Sequence, residues 1–190
     1  TFQEYFTAWD IYRRSRGSSE KAWEQISPIL HNSHWREIIL LMSAKLSEQY
    51  PDDIGEELVQ KIINNESPYE KILKRDLLLA GACLADGVKV KINTSNQILD
   101  KIVDIALDSP YGVQKEYAVD VLRDLWNSTH KDYVLEKILI PLTGKESYVR
   151  RSAVSALGSI GKSDKSVING LVGLLADKDL SVRSSAASAL

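Results

Sequence analysis

The chain has 190 residues, 44% of them hydrophobic and 26% charged, with a formal net charge of −2. That balance is ordinary for a globular protein and offers no electrostatic footing for binding nucleic acid. A single cysteine, Cys83, excludes a disulfide framework within the chain and points to a reducing, cytoplasmic compartment, while no apolar run approaches the ~18 residues of a membrane span and nothing resembles a signal peptide.

The opening "TFQEYFTAWDI" sets Phe2, Tyr5, Phe6 and Trp9 at i, i+3, i+4 and i+7, an aromatic stripe along one helix face. Such a stripe is expected to be a core contact rather than a ligand box. The only basic cluster follows in "YRRSRGSSEK" (12–21), with Arg13, Arg14, Arg16 and Lys21 against Glu20. It lacks the interleaved aromatics on which bases stack, and it reads as a solvated loop. In "HNSHWRE", His31 and His34 stand three apart and could share a metal on a helix, but no third ligand of suitable type lies near. The stretch reads as the polar start of a helix, with no metal expected.

Start signals then divide the chain. Asp53 with Glu56 in "DDIGE", "SPYE" (67–70) and "TSNQ" (94–97) read as capping boxes, and Pro68 sits at a first helical position; "SPYG" (109–112) repeats the Ser-Pro opening. Helices are predicted near 35–49, 53–64, 69–85, 95–107, 111–126, 132–142, 147–160, 165–176 and from 180 onward. "WREIILLMSAKL" and "ILKRDLLLAGACLA" are apolar around most of their circumference, as expected of helices covered on both sides. Cys83 lies among Leu79, Ala80, Ala82 and Leu84, which supply no base and raise a thiol pKa, so it reads as core. His130 reads as a solvated loop or cap residue without a nucleophile arranged around it. "NGLVGLL" (169–175) has its glycines on a helix, where Gly170 and Gly173 permit close packing rather than cradle phosphate. No strand alternation is present, and the fold class is all-α.

The last third repeats itself. "VRRSAVSAL" (149–157) returns 33 residues later as "VRSSAASAL" (182–190), and the same shift lays "LADKDLSVR" on "LTGKESYVR". A further step of about 35 lays "KEYAVDVL" (115–122) on "RRSAVSAL", with Ala118 on Ala153 and Leu122 on Leu157. Val149, Ala153, Ala156, Leu157 and Ile160 make one helix face, and Val167, Ile168, Leu171, Leu174 and Leu175 make the face of a second helix. Neither could bury its stripe alone. Stacked copies solve the problem, and a period of 20–50 residues is its sign.

The pattern D/E-x-x-V-R-x-x-A-x-x-A-L-G occurs as Glu146, Val149, Arg150, Ala153, Ala156, Leu157 and Gly158, and again as Asp179, Val182, Arg183, Ala186, Ala189 and Leu190. It resembles HEAT repeats, in particular the short bacterial kind found in phycobilin lyase subunits. The resemblance implies a right-handed α-solenoid of stacked antiparallel helix pairs, a HEAT- or armadillo-like superhelix. It also implies a ladder in which Arg150 and Arg183 pair with acidic groups of the neighbouring repeat, Glu146 and Asp179 being the candidates. Such pairs at the surface contribute about 0–1 kcal/mol each and orient more than they stabilise.

Two motifs near the start, Thr1 to Phe6 and then Trp35, Arg36, Glu37, Ile38, Ile39, Leu40 and Leu41, are similar to the helical region that follows the nucleotide-binding module in NACHT-type NTPases of the STAND class. The expected organisation is therefore a NACHT-like helical end over 1–50, irregular helical pairs over 51–110, and HEAT-like repeats over 111–190. The missing initiator methionine and the halt inside a helical pattern suggest a piece of something larger, with the last repeat truncated. The resemblance implies a bacterial signalling parent that binds ATP or GTP with Mg upstream. No G-x-x-x-x-G-K-[ST] phosphate loop occurs here, so no catalytic or cofactor residue is expected in this stretch. The expected function is a non-catalytic sensor or protein-interaction arm whose partner is another protein or the parent's own NTPase module, in an oligomer-forming parent. A free-standing HEAT scaffold, or a phycobilin-lyase-like subunit, is the alternative. The concave wall formed by the second helices is the expected contact surface, with Glu136, Lys137, Ser166 and Asn169 on it.

Overall fold

The computed structural model describes residues 1–50, 53–161 and 163–190, and all regular structure among them is helical. The chain divides into two compact units, Thr1–Ile98 and Leu99–Leu190.

In the first unit, helix α1 (Phe2–Ser15) opens on a capping box between Thr1 and Glu4. It stops where Arg16 and Gly17 take left-handed φ of 50° and 69°. Gly17 is required twice over, because a Cβ there would lie 2.7 Å from the Tyr50 ring. Ser18 then caps α2 (Ser19–Ile26), its hydroxyl accepting from the Lys21 amide at 3.3 Å. Most of the basic stretch expected to be a loop is thus helical: Arg13 and Arg14 end α1, and Lys21 lies in α2. The signal for α2 was modest, with Ala22 and Ile26 one turn apart, yet both are fully buried.

Two single-turn 3₁₀ segments (Ser27–Ile29, Ser33–Trp35) lead into α3 (Arg36–Gln49), followed by α4 (Ile54–Ile63), α5 (Glu70–Leu73), α6 (Arg75–Ala85) and α7 (Ile92–Asp108), inside which the division between units falls. α1 packs on α2 and α3, and α4 packs on α2, α3 and α6. Ile39, Met42, Leu46, Leu58, Ile62 and Leu84 are fully or almost fully buried at the centre.

Three expected caps are wired differently. Asp53 stands before α4 with φ of 64° and makes no side-chain cap; the neighbouring Asp52 lies outside the described residues. Glu56 instead accepts from the Lys91 amide (2.9 Å) and the Thr94 hydroxyl (2.5 Å), holding the start of α7, which begins at Ile92 rather than 95. The predicted helix 69–85 is broken at Lys74, whose φ is 55°.

In the second unit, α7 is followed by α8 (Gly112–Leu125), α9 (Lys131–Leu139), α10 (Ser147–Ile160), α11 (Lys165–Gly173) and α12 (Leu180–Ala189). Short 3₁₀ extensions, Ile140–Thr143 and Leu174–Ala176, carry α9 and α11 to the predicted ends. α10 packs on α8, α9, α11 and α12. Its approach to α12 is close because both faces are small: a Cβ on Gly158 would sit 2.6 Å from that of Ala189. Leu122, Leu125, Val134, Ile138, Leu157 and Val167 form the core.

Candidate functional site

The repeat has a geometric counterpart. Arg150 on α10 is 3% exposed and donates from Nη1 to the Gly144 and Lys145 carbonyls at 2.8 and 2.9 Å. Its Nε and Nη2 grip both carboxylate oxygens of Asp177 at 2.8 Å each, the bidentate fork that guanidinium favours. One period later, Arg183 Nη1 donates to the carbonyl of Asp177 at 2.7 Å, the position 33 residues beyond Gly144. One period earlier, Lys115 Nζ donates to the Leu107 carbonyl at 3.1 Å. A basic residue at the fourth position of α8, α10 and α12 therefore ties down backbone ahead of its own helix, the connecting segment for Arg150 and Arg183 and the last turn of α7 for Lys115.

The carboxylate on Arg150 is that of Asp177. Glu146 occupies the N-cap position of α10 without a side-chain cap bond. Asp179 caps α12, accepting from the Ser181 amide (2.8 Å) and hydroxyl (2.6 Å) and the Val182 amide. The Ser181 hydroxyl and amide bring its carboxyl down to about 2, and the Arg150 hydrogen bonds lower that of Asp177. The Arg150–Asp177 pair is also buried rather than at the surface. Asp177 was missed because its counterpart one repeat earlier is a glycine, so nothing in the repeat marks it.

The second helices of the pairs, α9 and α11, are neighbours. Lys131 pairs with Asp164 at 2.7 Å, and a Cβ on Gly170 would lie 3.2 Å from Leu142 and 3.4 Å from Leu139. Of the four predicted contact residues, Glu136, Ser166 and Asn169 are exposed. Lys137 is engaged: its Nζ lies 2.8 Å from Asp100 Oδ1 and 5.0 Å from the Tyr133 ring centre, and these partners raise its pKa. Exposed Ile168, Val172 and Leu175 add an apolar strip along this edge that the expected surface did not include.

The aromatic stripe of α1 does not enter the core. Phe2, Tyr5 and Phe6 are 81%, 55% and 62% exposed, and Trp9 is only partly covered. α1 buries Ala8, Ile11 and Ser15 instead, the small face that lets it approach α3 closely. The rings contact one another, Phe2 stacked on Phe6 at 6.2 Å, Tyr5 edge-on to Phe6 at 5.9 Å and Trp9 tilted against Tyr12 at 5.2 Å. Beside the ridge lies a cavity of about 440 Å³ between Tyr5 and Trp9 of α1, Leu41 and Lys45 of α3, and Gly87 and Lys89 in the connection after α6.

His31 was expected at a polar helix start. Its Nε2 lies 2.5 Å from Oδ1 of Asp76 and 2.9 Å from the Ser67 hydroxyl, and Ser67 Oγ donates to Asp76 Oδ1 at 2.6 Å. These are the residue types of a hydrolytic triad in another arrangement. One ring nitrogen faces both partners and Ser67 gives its proton to the carboxylate, so no base stands ready to activate a nucleophile. Asp76 could have been suspected from the sequence as the one charge heading the run "LLLAGACLA". His34 is exposed on the 3₁₀ turn Ser33–Trp35. Cys83 is fully buried, which pushes its thiol up to about 12, and His130, in the cap position of α9, is lowered by partial burial. Among the described residues, no group of three or more His, Cys, Asp and Glu is placed to hold a metal ion, and no helix is long and apolar enough to cross a membrane. No family model, curated protein or solved structure matches the chain.

Proposed function

We propose that the chain is a non-catalytic protein-interaction arm, a right-handed solenoid of HEAT-like helix pairs that follows the nucleotide module of a bacterial NACHT-type NTPase. The observation that carries the arm reading is a basic residue at the fourth position of α8, α10 and α12 that donates to a backbone carbonyl before its helix, six residues back from Arg150 and Arg183 and eight back from Lys115. Repeats alike in both sequence and local geometry are what a stacked array requires. The wall beside them mixes apolar Ile168 and Val172 with uncharged Ser166 and Asn169, a surface suited to protein rather than to a polyanion. The link to an NTPase rests on the resemblance of Thr1–Phe6 and Trp35–Leu41, and the exposed ridge of α1 supports it as a surface for the preceding module. The arm acts by population shift: a partner that contacts it better in the released state draws the NTPase toward that state.

The parent protein tests this reading. An open reading frame with a phosphate loop upstream of Thr1, and nucleotide hydrolysis that changes severalfold when Leu99–Leu190 is deleted, are the expected results. An initiator methionine directly ahead of Thr1 refutes the NTPase link and leaves a free-standing scaffold. Copurifying pigment points to a lyase-like subunit instead.

A further inference from the structure

Residues 67–77 carry two capping schemes that compete for the same side chains. In the structure, the Glu70 carboxylate accepts from the Asp76 amide (2.9 Å) and the Leu77 amide (3.3 Å), so it caps α6 from outside. Asp76 in turn accepts the Ser67 amide (2.9 Å) and hydroxyl, with His31 against the same oxygen as the hydroxyl. Arg75 Nη2 donates to the Pro68 carbonyl at 2.9 Å. Held this way, Tyr69 and Lys74 take φ of 65° and 55°, a region costly for residues with a Cβ. The short α5 between them leaves Tyr69, Ile72 and Leu73 exposed, Tyr69 to 74%.

The second scheme is written in the same residues. In "SPYE" the Ser67 hydroxyl is placed to receive the Glu70 amide, and the Glu70 carboxylate to reach back to the Ser67 amide, with Pro68 at the first helical position. "EKILKRDLLLAGACLA" then has neither proline nor an early glycine to interrupt a helix. The Ser67 amide and hydroxyl are now committed to Asp76, the Glu70 carboxylate to the amides of α6, and the Glu70 amide to the Ser67 carbonyl. Forming the box means releasing those bonds, returning Tyr69 and Lys74 to right-handed φ, and giving the amides of Arg75, Asp76 and Leu77 to the carbonyls of Lys71, Ile72 and Leu73.

We infer that this segment is a two-state element, switching between the broken α5–α6 form latched by His31, Ser67 and Asp76 and one continuous helix from Pro68 to Ala85. A partner that contacts Tyr69, Ile72 and Leu73 in only one form would shift the balance.

Three variants of the whole chain test it: Lys74→Gly, which favours the left-handed residue and disfavours the helix, and Asp76→Asn and His31→Ala, which weaken the latch. The readouts are carbon chemical shifts and amide–Hα couplings of Tyr69 and Lys74, with hydrogen exchange at Arg75–Leu77. Lys74→Gly is expected to deplete the continuous form roughly five- to thirtyfold. Asp76→Asn and His31→Ala are expected to move both residues to helical values and to raise protection at the three amides about tenfold. If Asp76→Asn does not fold, His31→Ala, which alters a partly exposed side chain, carries the test with Lys74→Gly. Left-handed values that persist in the folded latch variants overturn the inference, and so does a segment that frays to random coil.

Discussion

A buried guanidinium needs partners for its donors, and Arg150 places four of its five N–H groups on two carbonyls and a carboxylate. Lysine cannot reproduce the fork, so Arg150→Lys should lower the melting temperature by about 5 °C, and Asp177→Asn should do the same. A thermal scan by circular dichroism decides the point; unchanged melting would make the pair ornamental. The carboxylates here also set an acid limit. Asp164, Asp177 and Asp179 are all lowered, by Lys131, Arg150 and Ser181 respectively, Asp179 from 3.8 to about 2. A depressed folded pKa adds stability that is fully present above the unfolded value and lost as pH falls through the folded one. Melting temperature should therefore be flat above about pH 7, dip slightly below about pH 6.5, where the half-buried His130 resists protonation in the folded state, and fall mainly between about pH 4 and 2, less steeply there in Asp179→Ala. Arg150 was legible because it recurs with the period. Asp177 was not, since the repeat has no side chain at its earlier counterpart, and the pairing of Asp76 with His31 and Ser67 was hidden because those partners lie 45 and 9 residues from it in sequence.

Helices were legible where apolar spacing and a stop signal agreed, as in α3, α4 and α8 to α12, whose ends fall within a few residues of those predicted. The failures have two physical causes. On α1, hydrophobicity marked the aromatic face, but close packing on α3 selects the small face of Ala8, Ile11 and Ser15. At 67–77, local capping pointed to one helix, while the buried contacts of Asp76 hold two. Close approach of a backbone is equally invisible to periodicity, and α4 shows what depends on it. A Cβ on Gly55 would overlap the Lys89 carbonyl oxygen and lie 2.9 Å from Ser47 Cβ. Neither carbonyl nor helix can retreat cheaply, so Gly55→Ala should cost about 1–3 kcal/mol despite alanine's better helix propensity. Urea unfolding would measure it, and a neutral or stabilising result would show that the contact yields.

For the molecule as a whole, what it leaves uncovered bears on function more than what it buries. Each unit has buried apolar side chains of its own, yet α1 keeps Phe2, Tyr5 and Phe6 in solvent, and α11 with its 3₁₀ extension keeps Val172 and Leu175 there. Exposed residues of this kind contribute little to folding, and contiguous ones mark contact surfaces. If the ridge serves binding alone, a Phe2→Ser/Phe6→Ser double variant should melt within about 2 °C of the parent chain. Ile11→Ala, which opens a cavity on the buried face of the same helix, should cost about 2–5 kcal/mol. On the proposed reading, with a nucleotide-hydrolysing module ahead of Thr1, the double variant should raise basal hydrolysis by weakening the hold of the arm on that module, while Ile11→Ala should act only through stability. Equal destabilisation by the two would mean that the aromatic face belongs to the core after all, and the docking role would then fall to the wall of α9 and α11.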